Sequence, residues 1–391
     1  MEIRRLELCN FRNIKTPFCF EPQFGVNVIS GKNAQGKTNL LEAVWLLTGE
    51  RSFRGGRDGE IICHGQSGTE ISADIFTHGY VRKTEISITQ QRERKEVFSE
   101  ESTSELLEET RRSAPKQKCE TVVREVKIGG VSTKKKQELA ENFAAVIFAP
   151  SHLSLVRDGP EKRRTLFDSA ISRLRPRYVS ALTQYSRAVM GRNAILRDVK
   201  YHGELLDLLG AWEEKIAVLG TFIIRQRMKY IAAQNEIAPD IYGGLSSGKE
   251  TFRLNYLNTD PDEQTLLDNL HAARKNDMIT GTTSAGPHRD DMEFCVNGKS
   301  ARIFGSQGQQ RSAVIAVKLA EATIAGRAFG EPPVMLLDDV LSELDISRQR
   351  YVLNHVGAGQ ILITCCDSRQ TAKATGAKRF VMENGILKEK Q

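Results

Sequence analysis

The chain has 391 residues, of which 40% are hydrophobic and 27% are charged, the ordinary composition of a soluble globular protein with two or three domains. No uninterrupted apolar run approaches the ~18–20 residues that a bilayer-spanning helix needs, and the N-terminus lacks the apolar core of a secretory signal. These features exclude a membrane-embedded chain and predict a cytoplasmic protein.

The formal net charge of +7 favours a polyanionic partner without establishing one, because the basic residues are spread along the sequence. The seven cysteines form no C-x-x-C pair and are odd in number. We interpret them as reduced thiols, with neither a disulfide framework nor a zinc site.

Taken in chain order, the first elements enclose a phosphate-binding loop. Short strands are predicted in the first 31 residues, and apolar residues at helical spacing, such as Leu40, Leu41 and Val44, follow the loop. Backbone N–H groups of such a loop wrap phosphate oxygens, the lysine reaches the β- and γ-phosphates, and the hydroxyl of Thr38 ligates Mg²⁺. The predicted nucleotide-binding residues are Gly31, Lys32, Asn33, Ala34, Gln35, Gly36, Lys37 and Thr38.

Alternating apolar residues predict further strands at 60–90, at Val122–Ile128 and at 144–149. Between them, roughly residues 90–120 are rich in charged and small polar residues and read as an exposed insertion to which we assign no function. Residues 160–234 carry three apolar stripes at helical spacing but no sustained heptad. They predict a compact helical lobe or short arm, ended by Gly243-Gly244 and Ser246-Ser247-Gly248, before a strand at 252–256.

A second half of the nucleotide site is predicted near the other end of the chain. Four apolar residues before Asp338 indicate a buried strand that delivers this carboxylate to Mg²⁺. Asp339 is placed to polarise the attacking water, a catalytic role that we assign together with Lys37. Because both halves must surround one nucleotide, the two ends of the chain are expected to fold together.

A third motif, Ser306-Gln307-Gly308-Gln309-Gln310, precedes a convincing helix. A serine, a glycine and amides at a helix N-terminus form an anion site, and one head has no use for two γ-phosphate sites. The motif resembles the Ser-x-Gly-Gln signature of ABC-type ATPases. This resemblance implies that Ser306, Gly308 and Gln309 contact the nucleotide bound by a second copy, with Ser306 acting in trans.

Several further segments resemble the RecF family of bacterial recombination mediators, which is related to the SMC ATPases. They are Phe11-Arg12-Asn13, Leu40-Leu41-Glu42-Ala43, Gly159-Pro160-Glu161-Lys162-Arg163-Arg164 with Phe167-Asp168, and Ser284-Ala285-Gly286-Pro287-His288-Arg289-Asp290-Asp291. The resemblance implies that Arg12 approaches the phosphates and that Leu341-Ser342-Glu343-Leu344-Asp345 is the D-loop at a dimer seam. It spans most of the chain apart from residues 90–120.

The expected fold is therefore an α/β ABC-type P-loop ATPase head assembled from both chain ends, with a mostly helical lobe inserted between them. We predict head segments at 1–158 and 276–391 and the lobe at 159–275. The resemblance implies a weak, Mg-dependent, DNA-stimulated and dimer-activated ATPase acting in DNA replication, recombination and the repair of DNA damage. It further implies ATP-dependent homodimers, partner proteins of the RecR and RecO type, and binding to double-stranded DNA and single/double-strand junctions.

Some positions depart from the family pattern or stay open. Ser151 and His152 replace two acidic residues, and Thr364 occupies the position of the usual switch histidine. His288 is either a catalytic base or part of a structural polar cluster. Arg51 and Arg54 contact phosphate or DNA, or lie in a solvated loop.

The same ATPase motifs also occur in the ATPase subunit of a membrane transporter, which is the alternative function. The helical excursion between Lys37 and Ser306 and the missing switch histidine argue against it. An ATP-gated structural clamp with negligible turnover is a further alternative.

Overall fold

The computed structural model describes residues 1–92, 120–133, 136–199, 202–257, 262–355, 359–366 and 376–390. The charged insertion expected at 90–120 lies almost entirely outside the described residues, as do Cys119 and Asp367.

The N-terminal part of the chain is rich in strands, as its alternating apolar pattern predicts. In chain order its elements are β1 (Glu2–Cys9), β2 (Phe18–Phe20), β3 (Val26–Ser30), α1 (Lys37–Leu46), β4 (Gly68–Thr77), β5 (Tyr80–Arg92), β6 (Glu120–Ile128), β7 (Val131–Thr133), α2 (Lys136–Asn142) and β8 (Ala145–Phe148).

Helices dominate the rest of the chain until the last strands. The elements are α3 (Pro160–Leu174), α4 (Pro176–Asp198), α5 (Leu209–Leu245), β9 (Phe252–Leu257), α6 (Glu263–Thr280), β10 (Asp291–Val296), β11 (Lys299–Ser300), α7 (Ala301–Phe304), α8 (Gln307–Phe329), β12 (Val334–Asp338), α9 (Ile346–His355), β13 (Ile361–Cys365), β14 (Lys378–Glu383) and β15 (Ile386–Lys390). Single 3-10 turns lie at Asp58–Ile61, Pro150–Ser154, Gly203–Leu208 and Leu341–Glu343.

A six-stranded sheet drawn from both chain ends forms the centre of the molecule. Its strand order is β15-β14-β3-β13-β12-β8, and all pairs except β14–β15 are parallel. Asp338 at the end of β12 is in register with Thr364 of β13, which is itself in register with Ile29 of β3. Because the carboxyl ends of parallel strands share one edge, the two predicted halves of the nucleotide site meet there.

Side-chain contacts also hold the two ends of the chain together. The amide of Gln360 is fully buried; it accepts from the backbone N–H of Ile3 at 2.9 Å and donates to the carbonyl of Ile3 at 2.8 Å. The N-terminal ammonium of Met1 pairs with Glu331 at 3.0 Å. The expectation that both termini build one head is confirmed.

The two faces of the central sheet carry different layers. Alternation along β12 sends Leu336 to a core shared with α1 and with the antiparallel sheet β2-β1-β4-β5-β6-β7. Met335 and Leu337 point to the other core, which contains residues of α8 and of the helical lobe, such as Ile216 and Ile223. The lobe is therefore packed directly on the head. The sequence predicted a compact helical lobe or a short arm, and the contacts agree with the compact form.

Two details of the lobe differ from the expectation. Helix α5 runs for 37 residues through Pro239 and both Gly243 and Gly244, and ends only at Leu245. Buried Tyr242 and Leu245 continue its core-facing stripe, so packing outweighs the weak helix propensity of the glycines. Helix α6 was not predicted, although Asp262 caps it and Leu266 and Leu270 form its buried face.

The predicted division at 275/276 falls inside α6. The division of the chain into 1–158, 159–275 and 276–391 stays a prediction. Within the described residues, no helix is both long enough and apolar enough to cross a bilayer.

Candidate nucleotide-binding site

The phosphate-binding loop connects β3 to α1, as its flanking apolar residues predicted. Gly36 has φ +111°, a backbone conformation that favours glycine, and it precedes the first residue of α1. A Cβ atom on Gly31 would collide with the carbonyl oxygen of Met382 in β14. The two glycines of the motif are thus required by backbone geometry and by packing respectively.

Lys37 lies with its side chain folded back over the loop. Its Nζ donates to the carbonyl oxygens of Gly31 at 2.5 Å and Lys32 at 2.8 Å, and the residue is buried. The ammonium group therefore lies inside the turn that would surround the phosphates, where charge-assisted hydrogen bonds to phosphate oxygens are strong.

Asn13 and the β14–β15 turn hold the loop from outside. Asn13 Nδ2 donates to the carbonyl of Ala34 at 2.9 Å, and its Oδ1 accepts from Asn39 Nδ2 at 2.6 Å. The side-chain oxygen of Gln35 accepts from the backbone N–H of Asn384 at 2.6 Å. The loop is therefore held by the side chain of Asn13 from one end of the chain and by the backbone of Asn384 from the other.

Thr38, Asp338 and Thr364 converge on one carboxylate oxygen. Thr38 Oγ1 donates to Asp338 Oδ1 at 2.9 Å, and Thr364 Oγ1 donates to the same oxygen at 2.8 Å. Burial raises the pKa of Asp338, and the neighbouring charge of Asp339 adds to that shift, while the two hydroxyls oppose it. A hydroxyl and a carboxylate are the hard oxygen ligands that Mg²⁺ prefers, so the pair fits the predicted metal site.

Asp339 adopts a left-handed backbone conformation with φ +50° at the end of β12. Its N–H donates to Thr364 Oγ1 at 2.9 Å, so Thr364 bonds to both acidic residues of this strand. One carboxylate oxygen, Oδ1, is buried without a protein hydrogen-bond partner. An orphaned acceptor of this kind has a free lone pair for a water molecule or ligand, as the predicted role in polarising water requires.

Cys366 is a site residue that motif analysis missed. Its Sγ lies 2.9 Å from Asn33 Oδ1, 3.4 Å from Asp339 Oδ2 and 3.9 Å from Lys37 Nζ. The sequence places it two residues beyond Thr364, which is the only signal that could have identified it. Thr364 and Cys366 together occupy the region where a switch histidine was expected.

Arg12 lies beside the loop, and its guanidinium is held by an acidic partner. Nε and Nη2 donate to the two carboxylate oxygens of Glu42 at 2.6 and 2.7 Å, and Nη1 donates to the carbonyl of Glu60 at 3.0 Å. Glu42 has no exposed surface. A phosphate contact by Arg12 is therefore still a prediction, and the observed role of the arginine is to neutralise a buried carboxylate of α1.

Arg54 and Arg51 lie in the loop after α1. Arg54 Nη1 donates to Asn39 Oδ1 at 2.6 Å, which connects this loop to the helix of the phosphate-binding motif. The carbonyl of Arg51 accepts from Trp45 Nε1 at 2.9 Å, while its side chain is exposed.

The signature motif forms an exposed turn at the start of α8. Ser306 caps the helix: its Oγ accepts from the N–H of Gln309 at 3.2 Å, and Gln309 Oε1 accepts from the N–H of Ser306 at 2.8 Å. This reciprocal pair is a capping box, so the reading of a helix N-terminus is confirmed. Ser306 is exposed, so the start of α8 faces outward, and the anion-binding role of this turn stays a prediction.

The D-loop segment is attached to the signature helix. Arg348 Nε donates to Ser312 Oγ at 2.9 Å, and its guanidinium lies against Gly308. Arg311 donates to the carbonyl of Glu343 at 2.6 Å and to its carboxylate at 3.0 Å. Ser342 Oγ donates to the carbonyl of Asp339 at 2.6 Å. The signature, D-loop and metal-site strand are thus one connected assembly.

Two segments rich in arginine and aspartate, residues 159–168 and 284–291, are connected by hydrogen bonds and ion pairs. Buried Arg163 makes a bidentate ion pair with Asp291 at 2.7 and 2.8 Å. Arg227 of α5 pairs with both carboxylate oxygens of Asp168 at 2.8 Å and donates to the carbonyl of Pro287 at 2.6 Å. These side chains hold the lobe together through mutually satisfied buried charges.

His288 belongs to this polar cluster. Its Nε2 lies 3.0 Å from the carbonyl of Thr283 and must donate to it, so Nδ1 accepts from the hydroxyl of Tyr185 at 2.6 Å. Burial lowers the pKa of His288, which keeps the ring neutral. Of the two roles considered for His288, its contacts support the structural one.

A parallel sheet with a phosphate-binding loop after β3, two acidic residues at the end of β12, which is the next strand but one, and a Ser-x-Gly-Gln helix define the molecule as an ABC-type ATPase head. The profile of the RecF/RecN/SMC N-terminal domain matches residues 2–388. The chain belongs to this family, and within it to the RecF proteins, as the following similarities show.

Relatives share about a third of their residues with the chain over almost its whole length. "DNA replication and repair protein RecF" of Agathobacter rectalis is 34% identical over 93% of this chain and 92% of its own length. The protein of the same name from Clostridium tetani is 34% identical over 98% of this chain and 99% of its own length.

Solved structures agree. The recombination mediator protein RecF-ATP of the RecFOR pathway superposes with a TM-score of 0.84 at 30% identity, covering 100% of this chain and 97% of the other. An SMC head domain of Pyrococcus furiosus, with a TM-score of 0.51 at 14% identity over 99% of this chain and 95% of the other, shares the fold alone. The predicted fold and family are confirmed, and the transporter alternative is not favoured.

Proposed function

We propose that this protein is an ATP-dependent DNA-binding protein of replication and recombinational repair. In this proposal the head dimerises around two ATP molecules, the dimer clamps double-stranded DNA, and hydrolysis releases it. The observation that carries the proposal is the convergence of Lys37, Thr38 and Asp338 at one sheet edge while the signature turn faces outward.

ATP and Mg²⁺ are the proposed cofactors. Residues 31–38 and Lys37 would hold the phosphates, and Thr38 and Asp338 would ligate the metal, which supplies Lewis acidity at the γ-phosphate. The hydroxyl and carboxylate of that pair are already 2.9 Å apart, so a cation can replace the hydrogen bond between them with little rearrangement. Asp339 follows directly in a left-handed backbone conformation, and its buried Oδ1 has no protein hydrogen-bond partner, which supports a role in polarising the attacking water.

A second copy of the chain would complete each site. Ser306 is exposed, and the apolar side chains beside it are also exposed: Ile303 by 72% and Phe304 by 69%. Ile346, the first residue of α9, the helix that follows the D-loop, is 63% exposed. An exposed apolar group around a polar anion site is typical of a surface that a partner covers. This arrangement supports the trans role of Ser306, Gly308 and Gln309.

DNA is the proposed macromolecular partner. The net charge of +7 favours a polyanion, and relatives are named for DNA replication and repair. Contacts through phosphates predict salt-dependent binding with little sequence preference. Because solved relatives belong to the RecFOR pathway, proteins of the RecO and RecR type are proposed partners. Double-stranded DNA and single/double-strand junctions are the proposed DNA ligands.

The deciding experiment measures oligomeric state and DNA affinity with and without ATP, for the wild type and for Ser306→Arg. The arginine would fill the anion surface of the signature turn while leaving the chain's own phosphate-binding loop intact. We expect this variant to bind ATP as the wild type does and to stay monomeric. Ser180→Arg, on an exposed face of α4, is the matched control and should dimerise normally.

Two outcomes would contradict the proposal. If ATP neither dimerises the wild type nor changes its DNA affinity, the clamp is wrong. If Ser306→Arg dimerises like Ser180→Arg, the trans role of the signature is wrong. A clamp without turnover is distinguished by Lys37→Arg: binding of ATP with loss of dimer disassembly favours the hydrolytic cycle.

A further inference from the structure

The carboxylate of Glu250 joins the signature turn to the long helix of the lobe. Glu250 lies between α5 and β9, half-buried, and uses its two oxygens on opposite sides. Gln309 Nε2 donates to Oε1 at 2.6 Å, and the hydroxyl of Tyr242 donates to Oε2 at 2.7 Å. The first partner belongs to the signature motif and the second to the last turn of α5.

Tyr242 is a rigid anchor for this carboxylate. It has no exposed surface, and its ring stacks on Phe252 with centroids 5.1 Å apart and planes inclined by 16°. Burial and the bond to Glu250 raise the pKa of the tyrosine, so its hydroxyl keeps its proton and acts as the donor. The position of the carboxylate is thereby set by the packed core of the lobe.

On its other side, the carboxylate orients the amide of Gln309. An ionised carboxylate only accepts hydrogen bonds, so the NH₂ group of Gln309 must face Glu250. The amide oxygen is then left to accept from the N–H of Ser306 at 2.8 Å, which is the second bond of the capping box. The bond from Ser306 and the bond to Glu250 therefore require the same orientation of the amide, and the carboxylate holds its NH₂ end in place.

The same end of α5 also contacts α9, the helix that follows the D-loop. The backbone of Gly244 lies directly against the ring of Tyr351 in α9, which leaves no space for a side chain. One end of α5 therefore contacts the signature turn through Glu250 and the D-loop helix through Gly244. Both supported segments face the partner head in the proposed dimer.

We propose that Glu250 is a positioning residue that fixes the signature turn for the partner's nucleotide and makes the turn move together with helix α5. This role rests on the proposed function, since it requires an ATP-dependent dimer. Glu250 acts through Gln309 and Ser306. Displacement of the lobe, for example by bound DNA, is thereby transmitted to the neighbouring active site.

The test compares Glu250→Ala, Glu250→Gln and Tyr242→Phe in the full-length protein. We measure ATP affinity of the monomer, ATP-dependent dimerisation by sedimentation velocity, and melting temperature. Loss of hydrogen bonds to a charged group predicts that Glu250→Ala weakens dimerisation about tenfold while ATP affinity stays within about twofold. Tyr242→Phe, which keeps the stacked ring, should weaken dimerisation by a smaller factor.

Rescue by the conservative variant separates positioning from bulk stability. The glutamine of Glu250→Gln can accept from Gln309 and donate to the Tyr242 hydroxyl, so it should dimerise within about twofold of the wild type. Glu236→Ala, at an exposed position of α5, is the control and should behave as the wild type.

If the wild type dimerises in ATP and a folded Glu250→Ala protein dimerises equally well, the role of Glu250 is wrong while the proposed function stands. If Glu250→Ala fails to fold, Tyr242→Phe decides, and normal dimerisation of that variant overturns the role. Failure of the wild type to dimerise in ATP overturns the proposed function first and this role with it.

Discussion

Thr38 Oγ1 and Asp338 Oδ1 lie 2.9 Å apart although 300 residues separate them in the chain. This contact exists because β3 and β12 flank β13 in one parallel sheet, so both residues lie at its carboxyl edge. The chain between them contributes β8 to the same sheet, and it otherwise forms most of the antiparallel sheet and the helical lobe. The reactivity of the head therefore depends on residues that only the folded chain brings together.

Asp339→Asn should separate nucleotide binding from hydrolysis. The amide keeps the size of the side chain but cannot polarise water as a carboxylate does, so we expect turnover to fall by about 10²-fold or more. ATP binding and ATP-dependent dimerisation should persist, because Thr38 and Asp338 are unchanged. Single-turnover phosphate release and nucleotide titration measure the two properties.

Asp338→Asn is the matched comparison for Asp339→Asn, and it should lose Mg-dependent nucleotide binding. Equal turnover of Asp339→Asn and the wild type would show that another group polarises the water.

The exposed apolar side chains beside the signature should contribute to dimerisation. Burial of one large apolar side chain stabilises by about 1.5–3 kcal/mol, so Phe304→Ser should weaken the ATP-dependent dimer about tenfold or more. Ile279→Ser is the control, because Ile279 is equally exposed, by 74%, at the far end of α6. Analytical ultracentrifugation across a protein concentration series measures both variants, and equal weakening by both would remove any special role from Phe304.

His152 should make the protein sensitive to acid. Its ring stacks on Phe148 and Nδ1 accepts from the N–H of Ala149 at 3.2 Å. Burial, with the charge of Lys318 adding to it, lowers the pKa of His152 to about 3. Because the folded pKa is depressed, the unfolded chain binds a proton below pH ~6.5 that the folded chain does not, and stability is lost as the pH falls.

The histidine should therefore contribute about 2 kcal/mol to the loss of stability expected between pH ~7 and ~5. His152→Asn keeps an acceptor for Ala149 and removes the titration, so its free energy of unfolding should fall less steeply over that interval. His202→Asn, at an exposed position, should leave the pH profile unchanged. Urea unfolding at each pH provides the measurement, and parallel profiles for His152→Asn and the wild type would contradict the prediction.

The ion pair between Asp168 and Arg227 should be essential for the lobe. Arg227 has 3% of its side chain exposed, and Asp168→Ala would leave this guanidinium without its bidentate partner. Removing one partner of a buried pair costs about 3–5 kcal/mol. Lys162→Ala, which breaks the exposed Lys162–Asp158 pair, should cost no more than about 1 kcal/mol. Chemical denaturation measures the free energy of unfolding of both variants. Equal losses for Asp168→Ala and Lys162→Ala would mean that solvent screens Arg227.

The sequence by itself determined the nucleotide-binding elements, because their residues act through local geometry. The glycine-lysine-threonine loop, the buried strand before Asp338 and the Ser306 capping box are each specified within ten residues. The family followed from short segments of the same kind. The helix boundary at Gly243 was wrong because the contact of Gly244 with Tyr351, 107 positions further along, is invisible in a local pattern.

Only the tertiary structure decided which distant side chains share a site. Cys366 beside Lys37 and Asp339, Glu42 opposite Arg12, and Glu250 between Gln309 and Tyr242 carry no local signature. Each is placed by strand order or helix packing, which depend on the burial of apolar side chains across the whole molecule. Local sequence fixes the chemistry of a group, whereas long-range packing fixes its neighbours, and the function of this head requires both.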